Sequence, residues 1–128
     1  MQSAKLQLFN YLFKKFLSLN VPVIETKDLN QQLDYPFIAI QSLNDRISRL
    51  TFDSYSGNPS VTVHLWGINH DKAMNDKLYL QVQNILLSDV YLEGYTLVRP
   101  NINVNEIIDT TSNQELLHTI INIEYESH

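Results

Sequence analysis

The run Ser60-Val61-Thr62-Val63-His64-Leu65-Trp66-Gly67 decides the fold. Val61, Val63 and Leu65 alternate with Thr62, His64 and Trp66, the two-residue period of a strand with one buried face. Gly67 ends it, and Asn69 or Asp71 can cap the next element, a helix. In that helix Met74, Leu78, Val82, Ile85 and Leu86 recur on one face, while Lys72, Asp76, Lys77 and Gln83 are left to solvent, up to a stop near Ser88-Asp89. A strand that is apolar on its inner face and leads straight into a helix belongs at the centre of a layered α+β domain.

Toward the N-terminus, Leu6, Phe9, Phe13 and Phe16 fall at helical spacing, with Leu8, Leu12 and Leu17 widening the stripe. Ser3 is the expected N-cap, and Asn20-Val21-Pro22 the stop, because proline disfavours helical geometry in the residue before it. A short extended segment, Val21 to Glu25, should come next. Phe37-Ile38-Ala39-Ile40, entered through Tyr35-Pro36, reads as a strand covered on both faces. Residues 44–59 form a long loop or hairpin arm with little periodicity.

Toward the C-terminus, Tyr91 to Val98 is strand-like around Gly94, and Pro100 confines the residues after it to an edge or loop position. Ile102, Val104 and Ile107 can extend that strand, and Asp109-Thr110-Thr111-Ser112-Asn113 is a turn by composition. The closing strand is plain: Leu117, Thr119, Ile121, Ile123 and Tyr125 alternate with His118, Asn122, Glu124 and Glu126. The expected architecture is a single α+β domain over residues 1–128, a mixed or antiparallel sheet with two α-helices packed on one face and a long hairpin arm. Parallel pairing is expected only across a helix, where the connection suffices for a crossover.

The 128 residues suffice for one core without staples, and the chain has no cysteine, which excludes disulfides and thiolate metal sites. No apolar run is long enough for a membrane-spanning helix, and the N-terminus lacks the centre of a signal peptide, so synthesis in the cytoplasm is the expectation. The formal charge of −5 and the scattered Lys and Arg argue against a phosphate-gripping surface. Glycine stands only at 57, 67 and 94, too sparse for a phosphate-cradling loop, so no cofactor is expected.

Histidines stand at 64, 70, 118 and 128, without a His-Glu-x-x-His or His-x-His motif. His64 and His118 fall on the outer faces of their strands and can be cross-strand neighbours; ordinary exposed histidines account for them better than a ligand pair does. The acidic residues Asp45, Asp53, Asp71 and Asp76 are explained by capping and solvation, and Asp109-Thr110-Thr111 by an Asx turn. No catalytic set emerges, and the chain is read as a non-enzyme.

The interface candidates are Arg46, Ile47, Arg49, Leu50, Phe52 and Tyr55 in the arm, together with Trp66. Large apolar residues in a loop mark association unless the arm folds back as an extra hairpin, and the two readings stand level. Trp66 either anchors a subunit contact or packs under the second helix; packing is favoured, since a strand followed by a returning helix often needs cover on both faces.

The succession of an N-terminal helix, Tyr35-Pro36-Phe37-Ile38-Ala39-Ile40, an arm, Ser60 to Gly67 leading into a helix, and the closing Leu117 to Tyr125 resembles the tail terminator, or tail-completion, proteins of long-tailed phages and prophages. The likeness spans nearly the whole chain and lies in organisation more than in signature residues. It implies a structural protein that assembles with itself into a ring, usually a hexamer. Such a ring binds the last ring of tail-tube protein, stops polymerisation and offers a surface to the head connector protein. DNA would pass through the lumen without specific binding, and the protein would move from the host cytoplasm into the virion at the tail-head junction. The alternatives are a head-tail connector or neck subunit, a small metal-dependent hydrolase using His64 and His118, and a monomeric ligand-binding module.

Overall fold

The computed structural model describes residues 2–29, 32–41 and 57–128 in full, and the backbone of residues 44–49 and 55–56. Helix α1 spans Ala4–Leu17, β1 Val23–Glu25, β2 Phe37–Ile40, β3 Asn44–Arg49, β4 Tyr55–Ile68, α2 Lys72–Leu87, β5 Val90–Leu92, β6 Tyr95–Asp109 and β7 Leu116–Ser127. The strands form one mixed sheet in the order β1-β2-β4-β7-β6-β5, with β3 also paired to β4. Strand β4 is central, as its apolar face requires, and it is longer at both ends than the alternation suggests.

Both helices lie on the same face of the sheet. Leu8, Leu12 and Phe16 of α1 and Leu78, Val82 and Leu86 of α2 meet Ile38, Ile40, Val61, Val63, Leu65, Ile121, Ile123 and Tyr125 in one core. The Ser3 side chain accepts from the Leu6 amide, so the N-terminal cap sits where the sequence puts it. The buried row of α1 is Ala4, Leu8, Leu12 and Phe16, at i, i+4 spacing. Leu6 and Leu17, at the margins of the wide apolar stripe, are exposed, because a helix lying on a sheet buries little more than one row fully. On α2, Met74 is 52% exposed although Leu78, one turn on, is buried.

Three expectations are corrected. Parallel pairing of β1 with β2 occurs across a connection in which the described residues form no helix beyond the single 3₁₀ turn Thr26–Asp28, rather than across one of the two α-helices. The segment around Gly94 is not one strand but the β5–β6 hairpin, with Gly94 at φ 81° in the left-handed geometry that tight turns assign to glycine. Gly67 does not end β4, which runs to Ile68. Its lack of a side chain serves a close approach, for a Cβ there would collide with Asn75 Oδ1. That amide is held in place by donating to the Ile68 carbonyl at 2.8 Å.

Strand β6 passes through Pro100 by a bulge at which Arg99 takes φ 51° and the register with β7 shifts between Val98 and Asn101. Strand β5 pairs only with Tyr95 to Leu97, so Pro100 does open an edge segment. Two clamps tie the layers together. Tyr125 donates its buried hydroxyl to the Leu86 carbonyl at the end of α2 (2.8 Å), and burial pushes that phenol far above its usual pKa. Gln7 of α1 both donates to the Glu93 carbonyl and accepts from the Glu93 amide in the β5–β6 turn.

Candidate functional site

Strand parity builds the face of the sheet that carries no helix. With Val61, Val63 and Leu65 turned inward, Thr62, His64 and Trp66 turn outward, and the register sets Phe37, Trp66, His118 and Ile107 in one row across β2, β4, β7 and β6. The next row is Ala39, His64, Ile120 and Asn105, and beyond it Thr62, Asn122 and Asn103. Thr62 donates to the Asn122 side-chain oxygen at 2.7 Å, continuing a polar stretch that ends in exposed Asn101, Asn103 and Asn105 on β6.

The first two rows form an aromatic cluster. The Trp66 and His118 rings stack with centroids 3.8 Å apart and planes 12° from parallel; Phe37 stacks on the other side of Trp66 at 6.4 Å, and Tyr35 adjoins Phe37 at 5.6 Å. His64 and His118, diagonal neighbours on β4 and β7, bring Nδ1 and Nε2 to 2.8 Å, while His64 Nε2 stands 2.8 Å from Gln41 Oε1. An amide oxygen only accepts, so His64 carries its proton on Nε2, its Nδ1 is an acceptor, and His118 donates to it from Nε2. Partial burial pushes both imidazoles below the ordinary value, and for His118 the neighbouring His64 adds to the effect while Asp109 opposes it. Both rings are therefore neutral near pH 7.

The cross-strand meeting of His64 and His118 is thus observed, and the two rings supply two imidazole ligands at most. Among the described residues no group of three or more His, Cys, Asp or Glu comes together to hold a metal ion. Asp109 makes the expected Asx turn, accepting from both the amide and the hydroxyl of Thr111, which holds its carboxyl below the usual range. His70 is exposed.

Trp66 does not pack under α2. Both helices lie against the Leu65 side of β4, so an outward residue receives no cover from them, and Trp66 is covered by Phe37 and His118 instead. Its indole Nε1 is buried and has no hydrogen-bond partner among the described residues, a costly state for a donor. Phe37 and Gln41 were not singled out by composition. Pairing the outward positions of β2 with those of β4 is the signal that finds them.

The arm is a hairpin in the plane of the sheet. Strand β3 pairs antiparallel with Tyr55 to Ser60 along the edge of β4 that β2 occupies further on, so β2 and β3 are nearly one strand. The last pair between β4 and β7 is Gly57 with Ser127, and the hairpin runs on past it through the Ser48–Ser56 and Arg49–Tyr55 pairs. Arg46, Ile47 and Arg49 stand on β3 and Tyr55 opens β4. Leu50 and Phe52 lie outside the described residues. No protein-family model and no curated protein matches the sequence.

No described helix is long and apolar enough to cross a membrane.

Proposed function

We propose that the chain is a structural subunit of a long-tailed phage, a tail terminator that assembles with itself into a ring on the end of the tail tube. What supports this is the one-sidedness of the sheet. Two helices close one face over an apolar core, whereas the other presents the half-buried Trp66 and His118, backed by buried Phe37, beside a polar field, next to a hairpin that outruns the body. An aromatic cluster with one polar tip and a wet surround is the composition of a protein contact surface. A chain of net charge −5 would let DNA pass a lumen without gripping its phosphates.

In this role the ring meets three partners: its own copies, the tail-tube protein below and the head connector protein above. It carries no cofactor and performs no catalysis. Co-sedimentation with purified cognate tail tubes, and separately with tail-free heads, tests the assignment. Pelleting with tubes in the absence of heads is expected. Pelleting with heads alone would move the chain up to the connector layer, and pelleting with neither would remove it from virion assembly.

A further inference from the structure

Among the described residues, the edge of β6 turned away from β7 is open beyond the bulge. From Asn101 to Asp109 the strand pairs only with β7, and among the described residues no backbone group of this stretch bonds to anything else. Six of these nine residues are exposed, Asn101, Asn103, Asn105, Glu106, Ile107 and Ile108. Sheet edges that must stay single are blunted by charged side chains, lysine above all, and by proline, bulges or covering segments. Here the bulge and Pro100 come just before the stretch, and the stretch itself contains neither proline nor any basic residue; its charges are Glu106, in register with Thr119, and Asp109, which repel an acidic edge and suit a basic one. Ile107 and Ile108 stand 50% and 55% exposed near its end.

Among the described residues β1, β3 and β5 each pair on one side only as well, and β3, with six residues against three in each of the others, is the longest of these edges. The β3 edge and the free part of β6 lie at diagonally opposite corners. Strand β3 is level with the Ser127 end of β7, and the free part of β6 is level with the Leu116 end. Their formal charges are opposite: Glu106 and Asp109 make residues 101–109 −2, while Arg46 and Arg49 against Asp45 leave β3 at +1.

We infer that β3 of one copy adds to the β6 edge of the next, at Asn101 to Asp109, continuing the sheet from subunit to subunit. This rests on the self-assembling ring reading and names its contact. Such a joint uses two different patches and repeats head to tail, the type of interface that closes into a ring when the rotation allows. Two β6 edges meeting each other would instead set Glu106 and Asp109 against their own copies.

The chain has no cysteine, so paired labels can be introduced cleanly. The full chain carrying both Ser48→Cys and Asn105→Cys is treated with a short bis-maleimide at the concentration where light scattering shows an oligomer. The double variant is expected to give a ladder ending at the closed ring, and each single variant no cross-link. Ile107→Lys with Ile108→Lys, shown folded by circular dichroism, is expected to lose the ladder. A dimer from Asn105→Cys alone, or a ladder unchanged by the lysines, overturns the joint. An oligomer with no ladder overturns the joint and leaves the ring standing, whereas a monomer at every concentration, with tubes present or absent, overturns both.

Discussion

The two faces of β4 and β7 differ in what they demand of a neighbour. Inward, Val61, Val63, Ile121 and Ile123 are at most 3% exposed and belong to one cluster of aliphatic and aromatic side chains. Outward, the same strands alternate Thr62, His64 and Trp66 with His118, Ile120 and Asn122, and their contacts are stacked rings and side-chain hydrogen bonds. The inner face is complete, and its residues serve stability. The outer face keeps an indole donor without an acceptor among the described residues, and half-buried imidazoles, so its substitution should be felt more in assembly than in folding.

The sharpest break of that contrast is Phe16→Ala. Phe16 is fully buried between α1 and the sheet, so its truncation should cost about 3–5 kcal/mol in urea unfolding. A loss near zero would mean the helix layer is not what holds the sheet. Gly67→Ala should cost about 1–3 kcal/mol, because the new methyl meets an Asn75 amide already tied to Ile68. Restoration of stability by a second change, Asn75→Ala, would locate the clash; its failure would put the cause in the strand itself.

Trp66→Ala should cost less than Phe16→Ala, about 1–2 kcal/mol, since the indole is only partly covered, yet it should abolish co-sedimentation with tubes. The reverse pattern, a large stability loss with binding intact, would return Trp66 to the core. The smallest effect concerns pH. Burial depresses both imidazoles, so around pH 6 the folded chain binds fewer protons than the unfolded one. Stability is full above about pH 6.5 and falls as pH drops through the folded values. The thermal midpoint should therefore decline between pH 7 and 5, and His64→Gln should flatten that decline. An equally steep decline in the variant would place the titrating group elsewhere.

Much of this contrast is readable from alternation. The parity of Val61 to Trp66 and of Leu117 to Glu126 tells which residues share a face, and it brings His64 near His118 before any register is known. What alternation does not carry is which face the helices choose. Trp66 is misjudged for that reason, since both helices lie on the Leu65 side. The β1–β2 pairing is hidden because three residues, Val23 to Glu25, are too few to show a period. Pro100 argues locally for a break, and the strand survives it only because a bulge at Arg99 absorbs the missing donor.

Negative-stain microscopy of cognate tail tubes assembled with and without the purified chain tests the central claim most directly. The account predicts tubes of uniform, arrested length bearing extra density at one end when the chain is present. Unchanged length and bare ends would contradict it.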